Sequence, residues 1–162
     1  MQTVRSSAAL IADTAGVSTL RISKRVYVLM RAGVLPKARG RAVPRINHLQ
    51  FASLFIAVML ASYTKPAEHI AARVLGMKAK ETKYTFGEFF VHLFREGIEA
   101  FPDLELITDR AGAFSATMNF PRYGKFIFKE TAFVDAGIKT CVIVSSESVA
   151  MLVREFNSEE PY

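Results

Sequence analysis

Cysteine is almost absent from this chain. Cys141 is the single thiol in 162 residues, so no disulfide can form within it. That usage fits a reducing compartment. Cys141 lies in Thr-Cys-Val-Ile-Val, which predicts a buried strand with the thiol as inert packing. Long apolar runs are scarce too. The most apolar stretch, residues 51–61, would rise only about 16 Å as a helix, against a hydrocarbon core of roughly 30 Å. A buried helix is therefore expected, and no membrane partner. No charged-then-apolar leader with a small-residue cleavage site is visible at the start of the sequence.

Catalytic signatures are also missing. There is no Gly-rich phosphate loop, no Gly-x-Ser-x-Gly and no His-Glu-x-x-His. Ser145-Ser146-Glu147 reads as a helix cap rather than a nucleophile. His48, His69 and His92 are 21 and 23 residues apart, without a Cys pair or local acidic partners at ligand spacing. These absences argue against an enzyme, a metal site and a cofactor.

The scarcity that says most is acid at one end. Residues 1–48 hold one acid, Asp13, and nine basic side chains, a net charge of +8. The other 114 residues hold twelve basic and fourteen acidic side chains, a net of −2. The whole-chain charge of +6 therefore belongs to the N-terminal third. Such a basic head on a near-neutral body points to a polyanion partner. With 51% hydrophobic residues and 13 Phe, the chain has ample material for a packed core, which argues against global disorder.

The local pattern of the head is that of two helices and a turn. Residues 6–15 predict a short helix with Leu10, Ile11 and Ala15 as apolar contacts. Ala12 is small enough for a second helix to cross, and Gly16 tolerates the positive φ that a tight turn needs. Val17 can plug the core beneath the turn, and Ser18 or Thr19 can cap the next helix. On that helix Ile22, Val26, Leu29 and Met30 share one face, which is expected to be buried. Lys24, Tyr27 and Arg31 lie opposite, flanked by Arg21 and Arg25. Gly33 stops the helix and Pro36 prevents a restart. Residues 37–46 put Lys37, Arg39, Arg41 and Arg45 around Gly40, which predicts a β-turn or short wing reaching phosphates or a minor groove.

Asn47 and Gln50 form a capping box for a helix over 47–62, expected to be buried on most sides. A helix over 65–75 follows, with Pro66 in its first turn and Ala67, Ile70, Ala71, Val74 and Leu75 on one face. Lys-rich residues 77–83 predict a linker. Thr85 and Glu88 cap a helix over 86–97, on which Phe86, Phe89, Phe90, Leu93 and Phe94 form a core or dimer stripe. Strands are expected at 104–109, 114–119, 125–129 and 139–144, then a helix over 147–156. The fold class is thus α+β: a winged helix-turn-helix, a helical middle, and a C-terminal antiparallel sheet with a covering helix. The expected divisions are 1–62, 63–100 and 101–162.

Ala12-x-x-x-Gly16-Val17-Ser18, the helix ending in Arg31-Ala-Gly-Val-Leu-Pro36, the basic wing and the capped apolar helix together resemble a winged helix-turn-helix domain of the MerR-like kind. The wing and the helix after it also resemble regulators of phages and gene transfer agents. The resemblance covers residues 5–62. The segment between Gly16 and Gly33 is about one helical turn longer than in that family. The family's effector-binding parts have no match, so no effector is implied. What the resemblance implies is a transcription regulator that binds double-stranded DNA in the cytoplasm, with RNA polymerase or another regulator as a further partner. A homodimer is expected because one short recognition helix gives limited specificity and two half-sites multiply it. The expected DNA-contacting residues are Ser18, Thr19, Arg21, Lys24, Arg25, Tyr27, Arg31, Lys37, Arg39, Arg41 and Arg45. Arg21, Lys24 and Arg25 are the candidates for base edges. The apolar helix 47–62 and the C-terminal sheet are the candidate dimer interfaces. Two other readings stand beside this one: a DNA-packaging protein like a small terminase subunit, and a protein-interaction module that does not bind DNA.

Overall fold

The computed structural model describes residues 2–60, 66–96, 98–135 and 137–158. Among them are six helices and one four-stranded sheet, an α+β arrangement. The chain divides into two compact units. One comprises residues 1–72 and 151–162, the other residues 73–150. This division cuts across the expected one, because two helices each contribute to both units.

The first unit begins with α1 (Val4–Ala15). It starts two residues earlier than the apolar spacing suggests. Thr3 caps it, with Thr3 and Ser6 exchanging side-chain-to-backbone hydrogen bonds. Gly16 ends it in the left-handed region, φ 62°, which a side chain would make costly. Ser18 caps α2 (Thr19–Arg31), its Oγ accepting from the Arg21 N–H. After α2, the Leu29 carbonyl accepts from the Val34 and Leu35 N–H groups, and Gly33 takes φ 77°. This returns Leu35 to the core.

The next element is α3 (His48–Leu60). The predicted capping box is present: Asn47 Oδ1 accepts from the Gln50 N–H at 2.9 Å, and Gln50 Oε1 from the Asn47 N–H at 3.0 Å. Every residue of α3 from Phe51 to Val58 is buried. α1 and α2 pack on each other, and both pack on α3. Phe156 of α6 (Ser146–Ser158) also covers it, 4.5 Å between ring centroids from Phe51.

That burial corrects the expectation of α3 as a dimer interface. Withdrawing Phe51, Leu54, Phe55, Ile56 and Val58 from one another would cost about 1.5–3 kcal/mol each. The sum is on the order of a whole domain's stability. The expected end of this helix at residue 62 lies outside the described residues, as does the expected start of the next at 65.

The chain crosses to the second unit within α4 (Ala67–Leu75). The predicted linker 77–83 is instead partly built in. Met77 and Ala79 are buried, and Lys78 forms β-bridges with Thr85 and with Lys129. The Lys count hid an alternation in which 77 and 79 point inward while 78 and 80 point out. Next comes α5 (Phe86–Arg95), with the predicted Thr85–Glu88 capping box formed. The Thr85 N–H, followed by its hydroxyl, lowers the Glu88 carboxyl below its ordinary range. The expected helix end at 97 is outside the described residues.

The sheet comprises β1 (Asp103–Asp109), β2 (Phe114–Phe120), β3 (Gly124–Lys129) and β4 (Ile138–Val144), in the order β3-β2-β1-β4, all antiparallel. Each lies within a residue or so of its predicted position. Register puts Leu106 beside Ala116 and Ala116 beside Phe128, all on the core face. The helix covering that face is α5: Phe86 and Phe89 lie 5.5 and 5.7 Å from Phe128.

The final helix was expected to be this cover. Its first residues belong with the sheet, but from Met151 onward it belongs with the first unit. Periodicity shows that a helix has an apolar stripe, not which partner will bury it.

Cys141 also departs from expectation. It is exposed, on an edge strand whose residues alternate little in burial. Desolvation of the sulfur and the nearby Glu105 carboxylate, in that order, raise its thiol above the usual range. An apolar run on an edge strand need not be buried on both faces.

Asp109 anchors the β1–β2 turn. It is buried, and its carboxylate accepts from the Ala113 N–H at 2.8 Å and the Val134 N–H at 3.1 Å. The Ala113 bond is the main cause holding its carboxyl below the ordinary Asp range, against desolvation. A carboxyl depressed in the folded state stabilises above its unfolded pKa and loses that effect as pH falls through the folded one. Asp109→Asn should therefore lower the melting temperature at pH 7 and reduce its further fall toward pH 3. A wild-type acid limb in thermal melts across that range would remove Asp109 from this role.

Candidate nucleic-acid interface

In the first unit the helix α2 is amphipathic, but not quite as its spacing suggests. Ile22 and Leu29 are buried as expected. Lys24, Tyr27 and Arg31 are exposed as expected. Tyr27 is 61% exposed, and the Arg31 guanidinium carbon lies 5.9 Å from its ring centroid. That contact leaves an aromatic and a cation presented together. Ser18 and Thr19 are exposed at the helix start. Arg21 is half-buried, and its Nε is covered.

Arg25 does not take its expected place. It is 6% exposed and belongs to the buried side of α2 with Ile22 and Leu29. The reason is angular. Positions 22, 25 and 29 are three and four residues apart, so they share a face at 100° per residue. A guanidinium this enclosed is not aimed at a base edge. Lys24 keeps the expected position.

The basic segment after α2 contains a turn at the predicted glycine. The Arg39 carbonyl accepts from the Ala42 N–H at 3.2 Å, and Gly40 takes φ 63°. Lys37, Arg39, Arg41 and Arg45 are all exposed. No pair of strands forms a wing there among the described residues. The segment is instead tied to the chain's beginning. Arg45 makes an isolated antiparallel bridge with Thr3, the Val4 N–H donates to the Pro44 carbonyl at 3.1 Å, and the Ile46 N–H to the Gln2 carbonyl at 2.9 Å. These bonds fix one end of the basic loop beside the first turn of α1, a partnership that no local sequence signal carries.

A second departure concerns Val26 and Met30. Both were expected in the core and both are half-buried. They line a cavity of about 610 Å³ between α1 and α2. Across from them α1 presents Ala8, Ala9 and Ala12, whose methyl groups do not reach far enough to close the space. Thr19, Ser23 and Tyr27 line the α2 side, so two residues expected on a DNA-facing surface also border this groove.

Elsewhere, among the described residues, no group of three or more His, Cys, Asp or Glu side chains is placed to hold a metal ion. No helix among them is long and apolar enough to cross a membrane. Comparison of the chain with protein-family models, curated proteins and solved structures finds no match.

Arg25→Ala is expected to lower the stability of the first unit by about 1–3 kcal/mol, because the packing of its aliphatic stem is removed. The same variant should keep the wild-type order of preference among DNA sequences. Urea denaturation and a competition binding series check the two halves separately. A stable variant with altered preference would return Arg25 to the interface.

Proposed function

We propose that the chain is a sequence-specific, double-stranded DNA-binding transcription regulator of phage or prophage type, acting as a homodimer in the cytoplasm. The observation that carries this reading is the single surface character of the head. Lys24 and Arg31 of α2 and the four cations of the 37–45 loop are exposed, while the head's net charge is +8 and its one acid is Asp13. A helix with a buried apolar side and an exposed basic one is what docking in a major groove requires.

In this reading Lys24 reads base edges, and Arg21, the residue before Ile22, supports it with the part of its guanidinium that is not covered. Ser18, Thr19, Tyr27 and Arg31 make positioning contacts. Lys37, Arg39, Arg41 and Arg45 neutralise phosphates, which supplies affinity rather than sequence choice. With α3 enclosed, the dimer surface passes to the sheet. Its outer face carries Ile127 and a 72% exposed Ile143, and β3 and β4 are its edges. RNA polymerase or another regulator is the further partner that such a role would call for.

Purified protein would be used to select fragmented genomic DNA at near-physiological salt, with the recovered fragments sequenced. One enriched motif, repeated at a spacing of about 34 Å, is the expected result. Salt-sensitive recovery without a motif would favour DNA packaging, and no recovery would favour a protein-interaction module. Replacing Arg39, Arg41 and Arg45 together by Ala should weaken binding to all sequences alike. It should also reduce the slope of log affinity against log salt by about one for each phosphate no longer neutralised. An unchanged slope would take the loop out of the interface.

A further inference from the structure

The groove between α1 and α2 borders the surface proposed for DNA and shares Thr19 and Tyr27 with it. We propose that it binds a small amphipathic anion, an aliphatic or aromatic carboxylate whose apolar body lies between the two helices and whose carboxylate meets Arg5.

Size is the first support. A cavity of about 610 Å³ falls in the range of roughly 300–1,000 Å³ typical of small-molecule sites. Its lining on α1 runs from Val4 to Ala12, and on α2 from Thr19 to Met30. At the helical rise these are about 12 Å and about 16 Å, so the ligand is elongated rather than compact.

Chemistry is the second. Val26, Met30, Val43 and Pro44 make the wall facing the alanines predominantly apolar. Among the described residues Arg5 is the only charged one lining the groove, and no carboxylate lines it. Arg5 is exposed, and it forms no ion pair among the described residues. No carboxylate there would pair with a cationic ligand, and the Tyr27 ring already has the Arg31 guanidinium beside it, whereas an anion would meet a planar donor suited to a carboxylate. The hydroxyls of Thr19, Ser23 and Tyr27 can bind a second polar group on the α2 side.

Fit within the unit is the third. The groove is bordered by Val43 and Pro44 of the basic loop, held there by the Val4 N–H bond to the Pro44 carbonyl. An occupant thus touches α1, α2 and the loop together. If α2 and the loop bind DNA as proposed, the ligand and DNA would affect each other's affinity through Thr19 and Tyr27. That coupling rests on the DNA-binding reading, but binding of the ligand does not.

The test is an amide NMR titration of the intact chain with decanoate below its micelle-forming concentration, beside decyltrimethylammonium as the oppositely charged probe. Decanoate should shift the amides of Arg5, Ala9, Ser23 and Tyr27 saturably, and the cation should bind at least about tenfold more weakly. Arg5→Gln, at an exposed position, should weaken decanoate at least about fivefold. Ala9→Leu should remove binding of both probes while leaving the far-ultraviolet circular dichroism unchanged. Equal response to the two probes, an Arg5→Gln variant of wild-type affinity, or shifts confined to the outer sheet face would overturn the proposal. So would groove amides that move on dilution of the protein alone, because a second copy would then be the occupant. Since no DNA is present, failure of the DNA-binding reading leaves this result readable.

Discussion

The first unit is organised by the enclosure of the middle of one helix. From Phe51 to Val58, α3 has no face turned to water. A helix that is apolar all round can be stable only if neighbours cover every side. α1 and α2 supply cover, and Phe156 adds more from the far end of the chain. The demand is severe because α3 holds several of the largest fully buried side chains, Phe51, Phe55 and Leu54 among them. Its covering helices must commit their apolar stripes to it, which leaves their outer faces to other residue types. On α2 those are Lys24, Tyr27 and Arg31.

The same demand explains why α1 and α2 do not fully fill the space between them. Ile11 and Ile22 are directed to the core and buried there. Along the groove, the middle of α1 presents Ala8, Ala9 and Ala12, with Val26 and Met30 on the α2 side. Tight packing needs facing residues whose volumes add up to the gap. Alanine opposite valine and methionine falls short of that, so the groove is a consequence of side-chain volume. The cationic surface and the apolar groove then share α2, and Tyr27 belongs to both.

The second unit rests on a different principle. Its core is one sheet face covered by α5, with Phe86 and Phe89 against Phe128. The alternation in β1 and β2 sets which residues face that helix. The Asp109 carboxylate holds two backbone N–H groups where the chain leaves the sheet. A buried charge bonded this way stabilises the turn through hydrogen bonds to the ionised form.

Much was legible in the residues alone. Both predicted capping boxes, Asn47–Gln50 and Thr85–Glu88, are local, so their partners are three residues apart and visible in the sequence. The left-handed turn at Gly16, the four strands and the helical stripes follow from the same short-range rules. So does the charge of the head. The candidate contacts at Lys24, Arg31 and the loop arginines are exposed as their positions implied. What escaped was every feature set by a distant partner. Arg25 reads as a flank and is buried; its angle beside Ile22 and Leu29 is local, but what packs over that side of the helix is not. The loop's anchorage to Thr3 and Val4 joins segments some forty residues apart. The last helix has the stripe of a sheet cover, yet its C-terminal part belongs with α3. Sequence by itself determined the elements, their caps and the placing of charge, since those depend on residues within a turn or two of one another. Only the tertiary structure decided which apolar stripe meets which, and therefore where a groove remains, because packing is settled by the summed volumes of side chains brought together from across the chain.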